Sequence, residues 1–151
     1  MPPAVRPFLT LLSVLPGLAA CEGTSQRTEL PPEVATPDRP AISPSGKYRL
    51  LVREEKENGS PTQRFDVTDA KGRLDYRSSD HFHERHATFF LWGDGDRVWV
   101  YSGDIGTYYW TKNSNGMWVK KDYNRSVMVP AFLRRVRPKN FSNKDDISNA
   151  L

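Results

Sequence analysis

From Lys47 onward the chain alternates short apolar runs with turn signals, the pattern of antiparallel strands joined by tight turns. Tyr48–Arg53 (YRLLVR) predicts a first strand, and Asn58-Gly59-Ser60-Pro61 turns the chain. In Arg64–Thr68 (RFDVT), Phe65 and Val67 alternate with polar residues and so share one face of a strand. Asp69-Ala70-Lys71-Gly72 is a tight turn, after which Arg73–Arg77 continues as a strand. Ala87–Trp92 (ATFFLW) is strongly apolar and predicts a central strand. Gly93-Asp94-Gly95-Asp96 leads into Arg97–Ser102 (RVWVYS), and Gly103–Gly106 into Thr107–Lys112 (TYYWTK). Asn113-Ser114-Asn115-Gly116 leads into Met117–Tyr123 (MWVKKDY). Pro130–Arg137 (PAFLRRVR) predicts a short helix with Pro130 at its first position and Phe132, Leu133 and Val136 on its apolar face. The expected fold is mostly β: a small antiparallel meander or sandwich of about six to seven strands with a short C-terminal helix.

The pattern upstream is different. Phe8–Leu15 is a short apolar stretch behind a single positive charge, Arg6, and Pro16-Gly17 breaks it. With the small residues Ala19 and Ala20 after it, residues 1–20 have the order of a secretory signal. The stretch is far below the roughly 20 residues that span a bilayer. Glu22–Ser45 holds Pro31, Pro32, Pro37, Pro40 and Pro44 without apolar periodicity, which predicts a flexible, semi-extended linker. The expected division is a signal peptide at 1–20, a linker at 21–45, a β domain at 46–141 and a polar tail at 142–151.

Composition changes this picture little. The 151 residues suit one domain, and 22 Lys+Arg against 18 Asp+Glu is too small an excess for a nucleic-acid footprint. Ten of the 17 aromatics, among them all four Trp, lie between Phe89 and Tyr123, which predicts core and cross-strand packing. The one cysteine, Cys21, rules out an internal disulfide.

Leu18-Ala19-Ala20-Cys21 resembles the lipobox of bacterial lipoproteins. The resemblance implies cleavage between Ala20 and Cys21, a diacylglyceryl group on the Cys21 sulfur, and often acylation of the new amino group. It implies a place outside the cytoplasm, on the cell membrane or the outer membrane, and Glu22 in the sorting position leans toward the outer one. Two or more acyl chains make such an anchor stable. Separately, Ser43-Pro44-Ser45-Gly46-Lys47-Tyr48 and Leu91–Tyr101 resemble the opening turn and inner hairpin of periplasmic β-propeller blades. That likeness supports antiparallel hairpins only, since about 100 residues cannot supply the four to eight blades of a closed propeller.

Candidate chemistry concentrates in Asp80-His81-Phe82-His83-Glu84-Arg85-His86. On an extended strand His81 and His83 project to one side, and with Asp80 or Glu84, and His86 if the chain turns, they offer ligands for a divalent metal such as zinc. The bland reading is a polar loop that happens to be rich in histidine. Asp94, Asp96 and Asp104 invite a calcium reading, but the loop pattern of an EF-hand is missing, and hairpin turns select Asp in any case. Tyr108-Tyr109-Trp110 offers a ring for ligand binding, because neighbouring strand residues face opposite sides. Arg134, Arg135 and Arg137 offer a basic helix face for phosphate headgroups. No G-x-S-x-G, P-loop, GxGxxG or H-E-x-x-H pattern occurs.

The leading expectation is a membrane-anchored module that binds a protein partner outside the cytoplasm and catalyses nothing; an immunity-type protein that blocks a periplasmic toxin is one version. The expected cofactor is none beyond the lipid on Cys21. The rivals are a metal-binding protein or metalloenzyme built on His81, His83 and His86, and a structural envelope component.

Overall fold

The structure, a computed structural model, describes residues 29–141. The lipobox, the cleavage site and the 142–151 tail lie outside the described residues. Ten strands and two short helices follow in order: β1 (Val34–Ala35), β2 (Ala41–Ile42), β3 (Tyr48–Glu57), β4 (Ser60–Asp69), β5 (Leu74–Arg77), β6 (Phe82–His83), β7 (Thr88–Gly93), β8 (Arg97–Ser102), β9 (Gly106–Lys112), β10 (Trp118–Asp122), α1 (Ala131–Val136) and α2 (Pro138–Phe141). The chain is thus mostly β, as expected. Seven strands have four residues or more, and three two-residue strands raise the total to ten.

The strands form two antiparallel five-stranded sheets. One runs β1-β7-β8-β9-β10 and the other β2-β3-β4-β5, with β6 paired to β4. The first is the middle layer of three. Its Phe90, Trp92, Val98, Val100, Trp110 and Trp118 meet Leu50, Val52, Phe65 and Val67 of the second sheet in one core. Its Leu91, Trp99, Tyr101 and Tyr109 meet Val129, Phe132, Leu133 and Phe141 of the helical segment in another. Being covered on both sides explains why β7 and β8 are apolar at nearly every position, whereas a strand with one wet face would alternate. Period-2 geometry sorts their side chains cleanly: Val98 and Val100 go one way, Trp99 and Tyr101 the other.

Three indole N–H groups tie the two sheets together. Trp92 donates to the Ala41 carbonyl at 2.9 Å, Trp110 to the Tyr76 hydroxyl at 3.0 Å and Trp118 to the Asp75 carboxylate at 2.7 Å. Turn residues set the registers. Asn58 (φ 50°) and Gly59 (φ 82°) close β3 onto β4 as a two-residue hairpin, so strand pairing resumes at Ser60 and runs through Pro61.

Two expectations are corrected. The linker does not extend to Ser45. β1 pairs with β7 and β2 with β3, and Val34, Ala35 and Ala41 are buried. The prolines act here as turn makers between two very short strands, and the Arg39 guanidinium fastens the turn by donating to the carbonyls of Leu30, Pro31 and Val34 at 2.9–3.1 Å. The fold therefore includes residues upstream of 46. Pro130 stands one position earlier than expected, as the N-cap of α1, with no side-chain capping bond. Leu91–Tyr101 does form a hairpin, between β7 and β8, and the Ser43–Tyr48 segment turns into β3.

Candidate functional site

The sequence-predicted site residues do not converge. Tyr109 and Trp110 are not a surface platform: they are 7 % and 0 % exposed, one in each core. Alternation does place them on opposite faces, but both faces of this sheet are covered. Tyr109 stacks on Trp99 at 5.0 Å, and Trp110 meets Phe65 edge-on at 4.9 Å. Tyr108 is half-buried, donates to the Ile105 carbonyl at 2.7 Å, and carries the Lys120 ammonium 4.0 Å over its ring.

The three histidines go separate ways. Only Phe82–His83 is extended, and its pairing with Gln63 and Thr62 buries Phe82 in the inter-sheet core. His81 Nδ1 lies 3.4 Å from the Thr62 hydroxyl. His86 lies beyond a turn, with Nε2 3.2 Å from Arg85 Nε and 3.8 Å from an Asp104 oxygen. Among the described residues no three His, Cys, Asp or Glu side chains are grouped to hold a metal ion. The aspartates of the calcium reading occupy two turns, Asp94 and Asp96 between β7 and β8 and Asp104 between β8 and β9, and among the described residues they form no metal-holding group. Asp96, at positive φ in the β7–β8 turn, accepts from the Ser45 backbone N–H at 3.0 Å and the Ser45 hydroxyl at 2.5 Å, holding the loop before β3.

On α1, Arg134 and Arg135 are exposed, while Arg137 is partly buried with its guanidinium 5.6 Å from the Phe89 ring and 5.3 Å from the Tyr101 ring. Arg137 is thus a packing residue as much as a charge.

A constellation the sequence reading did not single out lies on the outer face of the second sheet. In β4, Phe65 and Val67 turn inward, which sends Arg64, Asp66 and Thr68 outward. The register places Arg53 opposite Arg64, Leu51 and Arg77 opposite Asp66, and Arg49 opposite Thr68. Four arginines therefore share this face. Asp66 lies at its centre with no exposed side-chain surface, while Arg53 and Arg77 remain 48 % and 44 % exposed. Arg77 grips the Asp66 carboxylate with two bonds of 2.9 Å, and Arg53 Nε takes it from the β3 side. Burial alone would raise the Asp66 pKa, but the hydrogen bonds and charges of Arg77 and Arg53 outweigh it and hold the carboxyl below its ordinary value. Arg64 pairs with Glu55 at 2.8 Å, yet its buried Nε has no hydrogen-bond partner. Arg49 is exposed and has no carboxylate partner among the described residues.

Elsewhere the polar groups knit the two sheets. Lys112 pairs with Asp75 at 2.7 Å and lies 4.7 Å over the Tyr48 ring, and Lys120 pairs with Asp80 at 2.8 Å. A cleft of about 360 Å³ opens beside β2, lined by Pro32, Arg39, Pro40, Ile42 and Trp92 among others. No helix among the described residues is long and apolar enough to cross a membrane.

The arginine face was half legible. The alternation in RFDVT already sends Arg64 and Asp66 to the side opposite Phe65 and Val67. Which strands flank β4, and so which arginines join them, depends on pairing that no single strand records. Compared with known proteins, the chain matches no family model, no curated protein and no solved structure.

Proposed function

We propose that this chain is an exported lipoprotein, cut before Cys21 and lipidated there, whose β sandwich is a non-enzymatic module that binds a protein partner outside the cytoplasm. The observation that carries the binding part is the outer face of the β2–β5 sheet. It bears four arginines whose carboxylate partners among the described residues are Asp66 and Glu55. Most other ionic and aromatic side chains discussed above are spent on joining layers. The anchor part rests on the Leu18–Cys21 motif behind a short apolar stretch. Leu30 packs against the second core, on the helix side of the middle sheet.

Two measurements test this reading. Alkyne-palmitate should label the wild-type protein and not Cys21→Ala. Crosslinking on intact membranes should link the domain to one discrete protein. An unlabelled wild-type chain removes the anchor, and crosslinking that never yields a defined product removes the binding role.

A further inference from the structure

We propose that the outer face of the β2–β5 sheet docks an acidic protein segment, with Arg49, Arg53 and Arg77 receiving its carboxylates and Ile42 and Leu74 packing beside them. The proposal rests on the binding-module reading above and assigns it a surface and a partner chemistry.

Charge comes first. Arg49, Arg53, Arg64 and Arg77 share this face with Asp66, Glu55 and, out at the hairpin tip, Glu57, so four positive charges meet three negative ones and the surplus lies away from the tip, around Arg49. Arg49 is exposed and has no carboxylate partner among the described residues, whereas Arg64 is paired with Glu55 and its unpartnered Nε is buried, out of reach of an incoming segment. The guanidinium fork fits carboxylates two bonds at a time, as Arg77 on Asp66 already does within the fold. Asp66 also pins Arg53 and Arg77 in place before any partner arrives, which reduces the ordering entropy of binding.

Exposed apolar side chains beside the arginines fit a protein segment. Ile42 and Leu74 are 63 % and 55 % exposed, and their partners in the ladders, Arg49 and Thr68, put both on the arginine face. They stand on β2 and β5, the two lateral strands of this sheet, and so flank the guanidiniums. Arginine beside exposed apolar side chains is the composition of a protein interface. A lipid surface could also take up exposed apolar side chains beside basic ones, so the vesicle arm of the test below separates the two.

The test uses the full chain in mild detergent and a fluorescent oligoglutamate peptide, read by anisotropy at about 0.1 M salt, where charges are screened beyond about 10 Å. Arg49→Glu should weaken binding by about tenfold, the scale of an interface arginine, with Arg49→Lys in between. Reversing Arg134 and Arg135, on the opposite layer, should change it less than about twofold, because exposed charges that distant are screened. Equal loss from the helix variant would show that net charge alone drives binding, and would overturn the proposal. So would phosphatidylglycerol vesicles whose binding depends on Arg49 while oligoglutamate does not bind. Arg49 makes no ion pair among the described residues, so its variants should melt with the wild type. If they do not, the exposed Leu74→Asp variant must show the same weakening, and a normal affinity there refutes the proposal. Palmitate labelling of the same preparations reports the anchor separately: a labelled protein that ignores oligoglutamate keeps its anchor and loses this face.

Discussion

At Asp66 burial and charge pull in opposite directions. The carboxylate lies out of reach of water, and the two guanidiniums that hold it are nearly half exposed. Its pKa is lowered in the folded state, so its contribution to stability is present above the ordinary carboxyl value of about 3.9 and is lost as pH falls through the lower folded value. Asp66→Asn should cost about 1–3 kcal/mol near neutral pH, since a buried, charge-assisted network loses its charge. Melting followed from pH 6 down to pH 2 should then show a shallower acid loss in the variant; parallel curves would mean that Asp66 is not the group that titrates. Gly93 is a second residue whose identity is fixed by space. A Cβ there would come within 2.6 Å of Trp99 Nε1 and 3.1 Å of Pro130 Cγ. Gly93→Ala should therefore destabilise by about 1–3 kcal/mol through overpacking, measured by chemical denaturation, with no backbone-strain component because the glycine is not at positive φ.

Elements here are joined as much by polar links as by grease. Asp75 on β5 accepts the Trp118 indole N–H from β10 and pairs with Lys112 of β9, linking the open edges of the two sheets. Burial raises the Asp75 pKa, but Lys112 and Trp118 outweigh this and leave it lowered. Asp75→Ala should leave a nearly buried indole N–H without an acceptor, and a cost of about 1–2 kcal/mol in denaturant titration is expected. A cost near zero would show that water replaces the carboxylate there. The strands themselves were largely legible, because turn residues and period-2 alternation are local signals. Their lengths were less so. β3 continues through Glu54–Glu57, where no apolar residue marks it, because the Asn58-Gly59 hairpin zips the backbone ladder to its end whatever the side chains. Charged side chains in that stretch also blunt a strand that β2 covers only at Arg49 and Leu50.

For the whole molecule, the decisive feature is a middle sheet buried on both faces. It accounts for the concentration of tryptophan and tyrosine between Phe89 and Tyr123, and it turns Tyr109 and Trp110 from candidate ligand rings into core. It also gives the N-terminal segment a place, since Val34 and Ala35 complete the edge of that sheet beside β7. A chain beginning at Gly46 should melt at least about 10 °C below one beginning at Glu29, because it loses two strands and the burial of Val34, Ala35 and Ala41. Equal melting would mean that β1 and β2 are ornaments. If Cys21 carries an anchor, the residues between it and Leu30 span at most roughly 30 Å, so the domain works close to the bilayer rather than at the end of a long leash.

By itself the sequence determined the class of fold, most strands, the turns, the short C-terminal helix and the aromatic core, because each is written in neighbours a few residues apart. It also carries the Leu18–Cys21 motif, whose meaning is chemical and local. Only the tertiary structure decided that the proline-rich stretch from Leu30 to Ser45 belongs to the fold and that the three histidines part company. Only it brought arginines from β3 and β5 onto one aspartate of β4. The physical reason is the same in each case: side-chain alternation tells which way a residue points, but strand pairing across long separations decides what it meets.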